Sequence, residues 1–468
     1  MNKTIQLSGH EKNIYMKYCN LSLPRHTSYP TIPFWKDSFD KSSMEHGLSI
    51  LNEKKKPISL YIHIPYCQSL CFYCGCTKDI HDTKRIARAD PREDFLLSIE
   101  KEIASYAKNL KKCKLSQIHL GGGTPTFLSP KQLAKIFYLL DKYFTIDNDA
   151  AISVEIDPRI TTLEHLRILS SLGCVRLSLG IQDFDERVQK AVNRMQSFSM
   201  VEEFVGQCRA LNFSLSFDLI YGLPFQTLST MKETLNKLVM LSPDRIAFYR
   251  LAMIPSMFKW QKVFDRKHLP NTDEILAINL LIIKTLTTDK YFFIGLDHFA
   301  KENDYLYKAF TQKSLRRNFQ GMTTGGAIDI IGLGPSAISQ YNSHYVQNSK
   351  TTKEWHQQVR EESSILKGAV LNRDDQIRKA VIENLYCYGS IDKSVFSQIW
   401  NVNFDNYFSA EKKDLDVLNQ DEIINIDHSS LHLTKTLGRL LVRVVASSFD
   451  GYLSHNKENI SPTFSQLG

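Results

Sequence analysis

Ile58-Ser59-Leu60-Tyr61-Ile62-His63-Ile64-Pro65-Tyr66-Cys67-Gln68-Ser69-Leu70-Cys71-Phe72-Tyr73-Cys74-Gly75-Cys76 runs from a β-branched strand into a loop that holds four thiols within ten residues. The strand is the first of a series. Further strands are expected at 115–120, 151–156, 175–180, 214–221 and 244–252, with a weaker one at 291–296. Helical patterns at 94–110, 130–143, 163–172, 201–211, 227–241 and 273–288 separate them, and Leu133, Ile136, Phe137 and Leu140 show the spacing of threes and fours. Strand-then-helix repeated about six times is the order of a parallel sheet with helices outside, open or curled toward a barrel. In either case ligands bind at the C-terminal ends of the strands, where the unusual residues of this chain fall.

Outward from this repeat the character changes. Residues 1–57 are polar and end in Lys54-Lys55-Lys56-Pro57, the composition of an N-terminal arm. After 370 the rhythm stops: helical patterns at 374–386 and 404–418 precede alternating segments at 423–426 and 431–434, then a helix over 435–449. That order suits a mostly helical, winged-helix-like C-terminal domain whose mixed charge favours a lid or packing role over DNA binding. The expected organisation is an arm (1–57), a catalytic α/β unit (58–370) and the helical domain (371–468).

The chain has 468 residues, 43% hydrophobic and 23% charged, with 21 Gly and 15 Pro, which excludes a disordered or collagen-like chain. Lys and Arg number 58 against 50 Asp and Glu, a diffuse excess of +8 that suits a polyanionic small molecule and does not argue for nucleic acid. No run approaches the ~20 apolar residues of a membrane span. Residues 1–10 lack the apolar stretch of a signal peptide, so a cytoplasmic location is expected.

Of nine cysteines, Cys19, Cys113, Cys174, Cys208 and Cys387 stand alone and read as small buried hydrophobes. The clustered ones form Cys67-x3-Cys71-x2-Cys74, soft thiolate ligands suited to an iron–sulfur cluster or to zinc. Three on one loop favour a cubane cluster with one iron left open, since closed zinc sites take four ligands, commonly in two separated pairs. One strand later comes Leu120-Gly121-Gly122-Gly123-Thr124-Pro125-Thr126, in which glycines let backbone approach a ligand closely.

Together these motifs resemble the radical S-adenosylmethionine (SAM) enzymes, and within them the oxygen-independent coproporphyrinogen III oxidase family of heme biosynthesis. The resemblance also covers Arg25-His26-Thr27-Ser28-Tyr29-Pro30-Thr31, Ser153-Val154-Glu155-Ile156-Asp157-Pro158-Arg159, Gly180-Ile181-Gln182-Asp183-Phe184, Val192-Asn193-Arg194, Asp218-Leu219-Ile220-Tyr221-Gly222-Leu223-Pro224, Asp297-His298-Phe299-Ala300 and Arg317-Asn318-Phe319-Gln320-Gly321. It implies a partial, TIM-like (β/α) barrel of about six parallel strands. Cys67, Cys71 and Cys74 would ligate a [4Fe–4S] cluster and so be the catalytic residues. Tyr61, Tyr73, Gly122, Gly123, Thr124, Glu155, Gln182, Arg194, Asp218, Ala252 and Ile338 would bind SAM, two molecules of it. Arg25 and Arg317 are candidates for substrate propionates, and His63 and His298 for the site. Cys76 would not ligate; its presence favours the oxidase over the heme-chaperone branch. The implied reaction is two oxidative decarboxylations of a tetrapyrrole, with an unidentified electron donor, in a monomer with no nucleic-acid or membrane partner. A heme-binding chaperone and a tetrapyrrole-modifying methyltransferase-like enzyme are the alternatives on the same core.

Three departures from the family pattern stand in regions expected to face the tetrapyrrole. His26 replaces a tyrosine, Arg250-Leu251-Ala252-Met253-Ile254-Pro255 replaces Asn-Tyr-Ala-His-Leu-Pro, and Met322 replaces a tyrosine.

Overall fold

The computed structural model describes residues 6–37, 39–81, 90–324, 328–362, 365–455 and 464–467; Met1–Ile5 of the expected arm lie outside them. Strands β1 (Ile58–Ile64), β2 (Lys114–Gly122), β3 (Thr145–Ile156), β4 (Cys174–Gln182), β5 (Ser214–Tyr221) and β6 (Arg245–Arg250) pair in that order, each parallel to the next. Helices Pro91–Asn109, Pro130–Tyr143, Leu163–Ser171, Phe198–Ala210 and Leu228–Leu241 lie in the crossovers between them. Their starts are set locally: Ser129 and Thr162, for example, close capping boxes on Gln132 and His165.

Period-two alternation decides what each sheet face does. Leu60 and Ile62, Ile118 and Leu120, Val154 and Ile156, Leu177 and Leu179, Phe217 and Leu219, Ile246 and Phe248 are buried in one apolar core. The intervening positions are polar: Ser59, Gln117, Ser153, Glu155, Arg176, Ser178, Ser216, Asp218 and Arg245 line an internal cavity. The sheet therefore curls with its apolar face under the helices and its polar face around a hollow.

Past β6 the sheet continues antiparallel. The segment expected at 291–296 forms β7 (Tyr291–Gly295), and β8 (His298–Lys301) sits between β6 and β7, so this strand is an edge and not a further barrel stave. On the opposite side, β9 (Ile330–Leu333) pairs parallel with β1, from Ser59 beside Ile330 to Ile62 beside Leu333. Antiparallel β10 (Ile338–Tyr341), β11 (His344–Asn348) and β12 (Ile365–Val370) complete a 12-stranded sheet with open ends, a partial barrel.

The N-terminal segment is woven into both cores. Helix Lys41–Lys54 buries Leu48 and Leu51 against the barrel, while helix Gly9–Tyr18 packs Ile14, Tyr15 and Tyr18 into a second core with helices Arg373–Tyr388 and Val442–Ser448. That second core also contains a small antiparallel sheet of Ser390–Asp392, Ser430–Leu433 and Ile424–Ile426. Cys19, Cys113, Cys174, Cys208 and Cys387 are all buried. No helix among the described residues is long and apolar enough to cross a membrane.

Candidate active site

The thiol loop leaves the C-terminal end of β1 and is held through its own backbone by main-chain and side-chain partners. His81 N donates to Cys67 O (2.9 Å), Phe72 N to Val192 O (3.0 Å), and Asn193 Nδ2 to Leu70 O (2.8 Å). Trp260 Nε1 donates to Cys74 O (3.0 Å), and Lys78 Nζ reaches the carbonyls of Cys74 and Cys76 (3.3 and 3.2 Å). The glycine turn after β2 locks beneath the loop: Gly123 N donates to Ile64 O and Thr124 N to Tyr66 O, both at 2.8 Å. A methyl on Gly123 would stand 2.8 Å from the carbonyl oxygens of Pro65 and Tyr66, so glycine is what this approach admits.

Cys67, Cys71, Cys74 and Cys76 line one cavity of about 820 Å3 with Tyr73, Gly122, Gly123, Thr124, Glu155, Gln182, Arg194, Asp218 and Ala252. The volume is that of a small-molecule site. Asp157, at the end of β3, accepts from Arg159 Nη2 (2.6 Å) and Arg194 Nη1 (3.1 Å), and both guanidiniums also face Cys71 Sγ at 3.9 and 3.7 Å. Burial alone would raise the Asp157 carboxyl, but the two arginines bring it down to about 2. Glu155 faces His119 Nε2 (3.2 Å) and accepts from Gly122 N (3.1 Å). Against the effect of burial, these donors hold it below the usual carboxylate range. Among the described residues Asp218 has only the Ser178 hydroxyl (2.8 Å), and burial with Glu155 nearby pushes it up to about 7. Burial raises the Cys67 thiol to about 11, although Thr124 Oγ1 lies 3.6 Å from its sulfur. A hydrogen bond with Cys76 lowers Cys74, so this pair keeps its proton on Cys76.

Five sequence candidates do not line this cavity. Tyr61 stacks on His119 with ring centroids 5.9 Å apart and donates toward His63 Nδ1 (3.0 Å), supporting Glu155 from beneath without lining the cavity. His63 is buried and satisfied by Tyr61 and Thr77 O. Ile338, on β10, packs against the cluster of Trp35, Tyr345 and Leu371 and not against the cavity. Arg25 pairs with Asp297 above the Tyr249 ring, and Arg317 lies on the Tyr386 ring and donates to Arg25 O (3.0 Å); neither lines the cavity, whereas His298 does.

Of the departures, Arg250, Leu251 and Met322 line the cavity. His26 does not: it is buried between Tyr386 Oη (3.3 Å) and Asp450 (3.0 Å) in the second core, which corrects the expectation that it faces the tetrapyrrole. Met253 packs beside Val188, Val192, Leu223 and Phe264 instead. The sequence reading missed Gln117, His119, Ser153, Arg176, Ser178, Ser216 and Arg245; the signal available was a polar residue at every second position of each strand.

The radical SAM superfamily profile matches residues 61–238. The oxygen-independent coproporphyrinogen III oxidase of Escherichia coli (strain K12) is 39% identical over 442 residues, covering 94% of this chain and 95% of that one. The protein of the same name from Synechocystis sp. is 38% identical over 462 residues, 97% of each chain. The solved structure of the E. coli coproporphyrinogen III oxidase, described as a radical SAM enzyme, superimposes with a TM-score of 0.88 at 36% identity, over 96% of this chain and 100% of that one. The chain belongs to the oxygen-independent coproporphyrinogen III oxidase family. As a radical SAM enzyme of that family it is an oxidoreductase whose cofactors are an iron–sulfur cluster and SAM.

The residues fit those groups. Among the described residues no three Cys, His, Asp or Glu side chains close on one ion-sized point. Cys67, Cys71 and Cys74 line one cavity from a single loop, which suits a multi-iron group held by one thiolate per iron. Arg159 and Arg194 beside Cys71 supply cationic compensation for an anionic thiolate cluster.

Proposed function

We propose that the chain converts coproporphyrinogen III to protoporphyrinogen IX by two oxygen-independent oxidative decarboxylations, with Cys67, Cys71 and Cys74 holding a [4Fe–4S] cluster. The observation that carries this reading is the near-full-length likeness to the E. coli oxidase, in a chain whose three thiols share a cavity with the Gly122–Thr124 turn. Cys67, Cys71 and Cys74 would hold the cluster, and the cluster with SAM would supply one-electron, hydrogen-abstracting chemistry at a substrate propionate, whose carboxyl would leave as carbon dioxide while the remaining electron passed to a one-electron acceptor.

The chain's own residues do the positioning. The Gly122–Thr124 backbone and Ala252 offer close contact to flat or polar groups of SAM; Glu155 and Asp218 accept from its amino and hydroxyl groups; Arg194 and Gln182 donate to its carboxylate. With Tyr73 on the cluster side, these residues divide between two SAM molecules. Tyr61 orients His119 and Glu155 from behind. Arg159, Arg194 and Asp157 fix the charge next to Cys71. A one-electron reductant, a monomeric and cytoplasmic protein, no nucleic-acid or membrane partner, and the division at residues 57 and 370 complete the reading.

The test is an anaerobic reaction of the reconstituted protein with SAM, a reductant and coproporphyrinogen III, read by product mass. Two successive losses matching decarboxylation, abolished by Cys71→Ser, support the reading. Formation of 5′-deoxyadenosine with the porphyrinogen untouched rejects the substrate and keeps the radical chemistry.

A further inference from the structure

The cavity's polar atoms are unevenly satisfied. On the β3–β5 side each carboxylate has its donors: Glu155 with His119 and Gly122, Asp157 with two arginines, Asp218 with Ser178. On the β6 side four lining residues keep a buried polar atom without a hydrogen-bond partner among the described residues: Arg245 Nε, Arg250 Nε, His298 Nδ1 and Gln320 Nε2. Three of these are N–H donors, and the imidazole nitrogen is one in the right tautomer.

Arg250 is the most exposed to this shortage. It ends β6, and no carboxylate among the described residues pairs with it; its Nη1 reaches only Gln466 O, at 3.3 Å. Its charged neighbours add to the imbalance. Arg443 is buried and is satisfied by the carbonyls of Leu23, Pro24, Ser465 and Gln466, with no carboxylate among the described residues. Burial and the nearby Arg317, Arg245 and Arg25 keep His298 uncharged. Arg245 is already paired with Asp304 and Arg25 with Asp297, so it is Arg250, His298 and Gln320 that line this wall with no carboxylate partner among the described residues, the complement of a molecule that brings carboxylates.

We propose that Arg250, with His298 and Gln320 on the same wall, receives propionate carboxylates of the tetrapyrrole, Arg250 being the specificity-determining contact. This rests on the tetrapyrrole reading above and names the part of the site that recognises it. A guanidinium offers a planar fork that a carboxylate accepts in two bonds, and Arg250 lines the cavity with no carboxylate partner among the described residues.

The test uses reconstituted full-length protein titrated with coproporphyrin III and with its tetramethyl ester, followed by porphyrin fluorescence. Arg250→Gln is expected to raise the Kd for the free acid at least tenfold and leave that for the ester within twofold. Arg250→Lys, which keeps the charge but not the fork, falls between. In turnover the KM for coproporphyrinogen III rises more than kcat falls. An unchanged Kd for the acid, or equal weakening of acid and ester, overturns the assignment; if the wild type still decarboxylates, the functional reading stands. A wild type that neither binds the acid nor decarboxylates overturns both.

Discussion

Replacing Gly123 by alanine tests whether the glycine turn sets the position of the thiols. The added methyl would lie 2.8 Å from both Pro65 O and Tyr66 O and 2.9 Å from Pro65 C, where ordinary contact begins near 3.4 Å. All three atoms are backbone of the loop that leads into Cys67, so no side chain can swing aside. Relief requires the loop to lift by about half an ångström, straining the 2.8 Å bonds from Gly123 N and Thr124 N. Overpacking of this kind costs about 1–3 kcal/mol. A misplacement of 1 Å costs on the order of 100-fold in rate, so half of that predicts about a tenfold loss. The assay is iron and sulfide content per chain after anaerobic reconstitution, with the rate of 5′-deoxyadenosine formation beside it. Gly206→Ala serves as the control: it sits in helix Phe198–Ala210 with nothing within 4 Å of the new methyl, and is expected to stabilise by up to about 1 kcal/mol. Gly123→Ala protein that holds its iron and reacts within twofold of wild type would refute the reasoning.

Three further outcomes are expected. Asp157→Asn leaves Arg194, whose side chain is 8% exposed, without its counter-charge and is expected to cost about 3–5 kcal/mol in denaturant unfolding of the metal-free chain; Arg159→Gln, at a more open position, costs less. Asp218 holds its proton to about pH 7 when folded and to 3.8 when unfolded, so its contribution to stability is fullest below pH 3.8, falls as pH rises to 7 and is constant above. Solvent in the cavity screens the full effect to about 2 kcal/mol. Asp218→Asn removes the dependence, so unfolding curves of variant and wild type separate at pH 8 by about that amount more than at pH 4; equal separation at both pH values contradicts the assignment. Cys76→Ala is expected to keep its iron stoichiometry while the Cys74 thiol, deprived of its donor, alkylates only at higher pH in the metal-free chain.

What the sequence made legible was local. The Cys67–Cys74 spacing, the Gly122–Thr124 turn and the bounds of β1 and β5 are each written in a few consecutive residues. Its failures are failures of distance and direction. β9 was unreadable because Ile330-Ile331-Gly332-Leu333 is short and follows the Arg316–Asn318 and Gly321–Thr323 ribbon instead of a crossover helix, while its partner lies far back in the chain. Resemblance named Tyr61 and Ile338 as SAM contacts without placing their side chains: Tyr61 stacks on His119, and Ile338 packs beside Trp35 and Tyr345. His26 was misplaced for the same reason, since only the fold shows that its segment reaches Tyr386 and Asp450.

The pairing of β1 with β9 sets a timetable for making the enzyme. Ser59 must wait for Ile330, about 270 residues later, and at 5–20 residues per second the ribosome needs on the order of 15–50 s to deliver it. Through that interval the strand that presents the thiols has an unpaired edge, open to wrong partners and its cysteines to oxidation. Iron loaded before β9 docks meets a loop whose supporting strand is secured on one side only. A loop that gains both its flanking strands only after residue 333 is made would take up its centre late in the life of the chain.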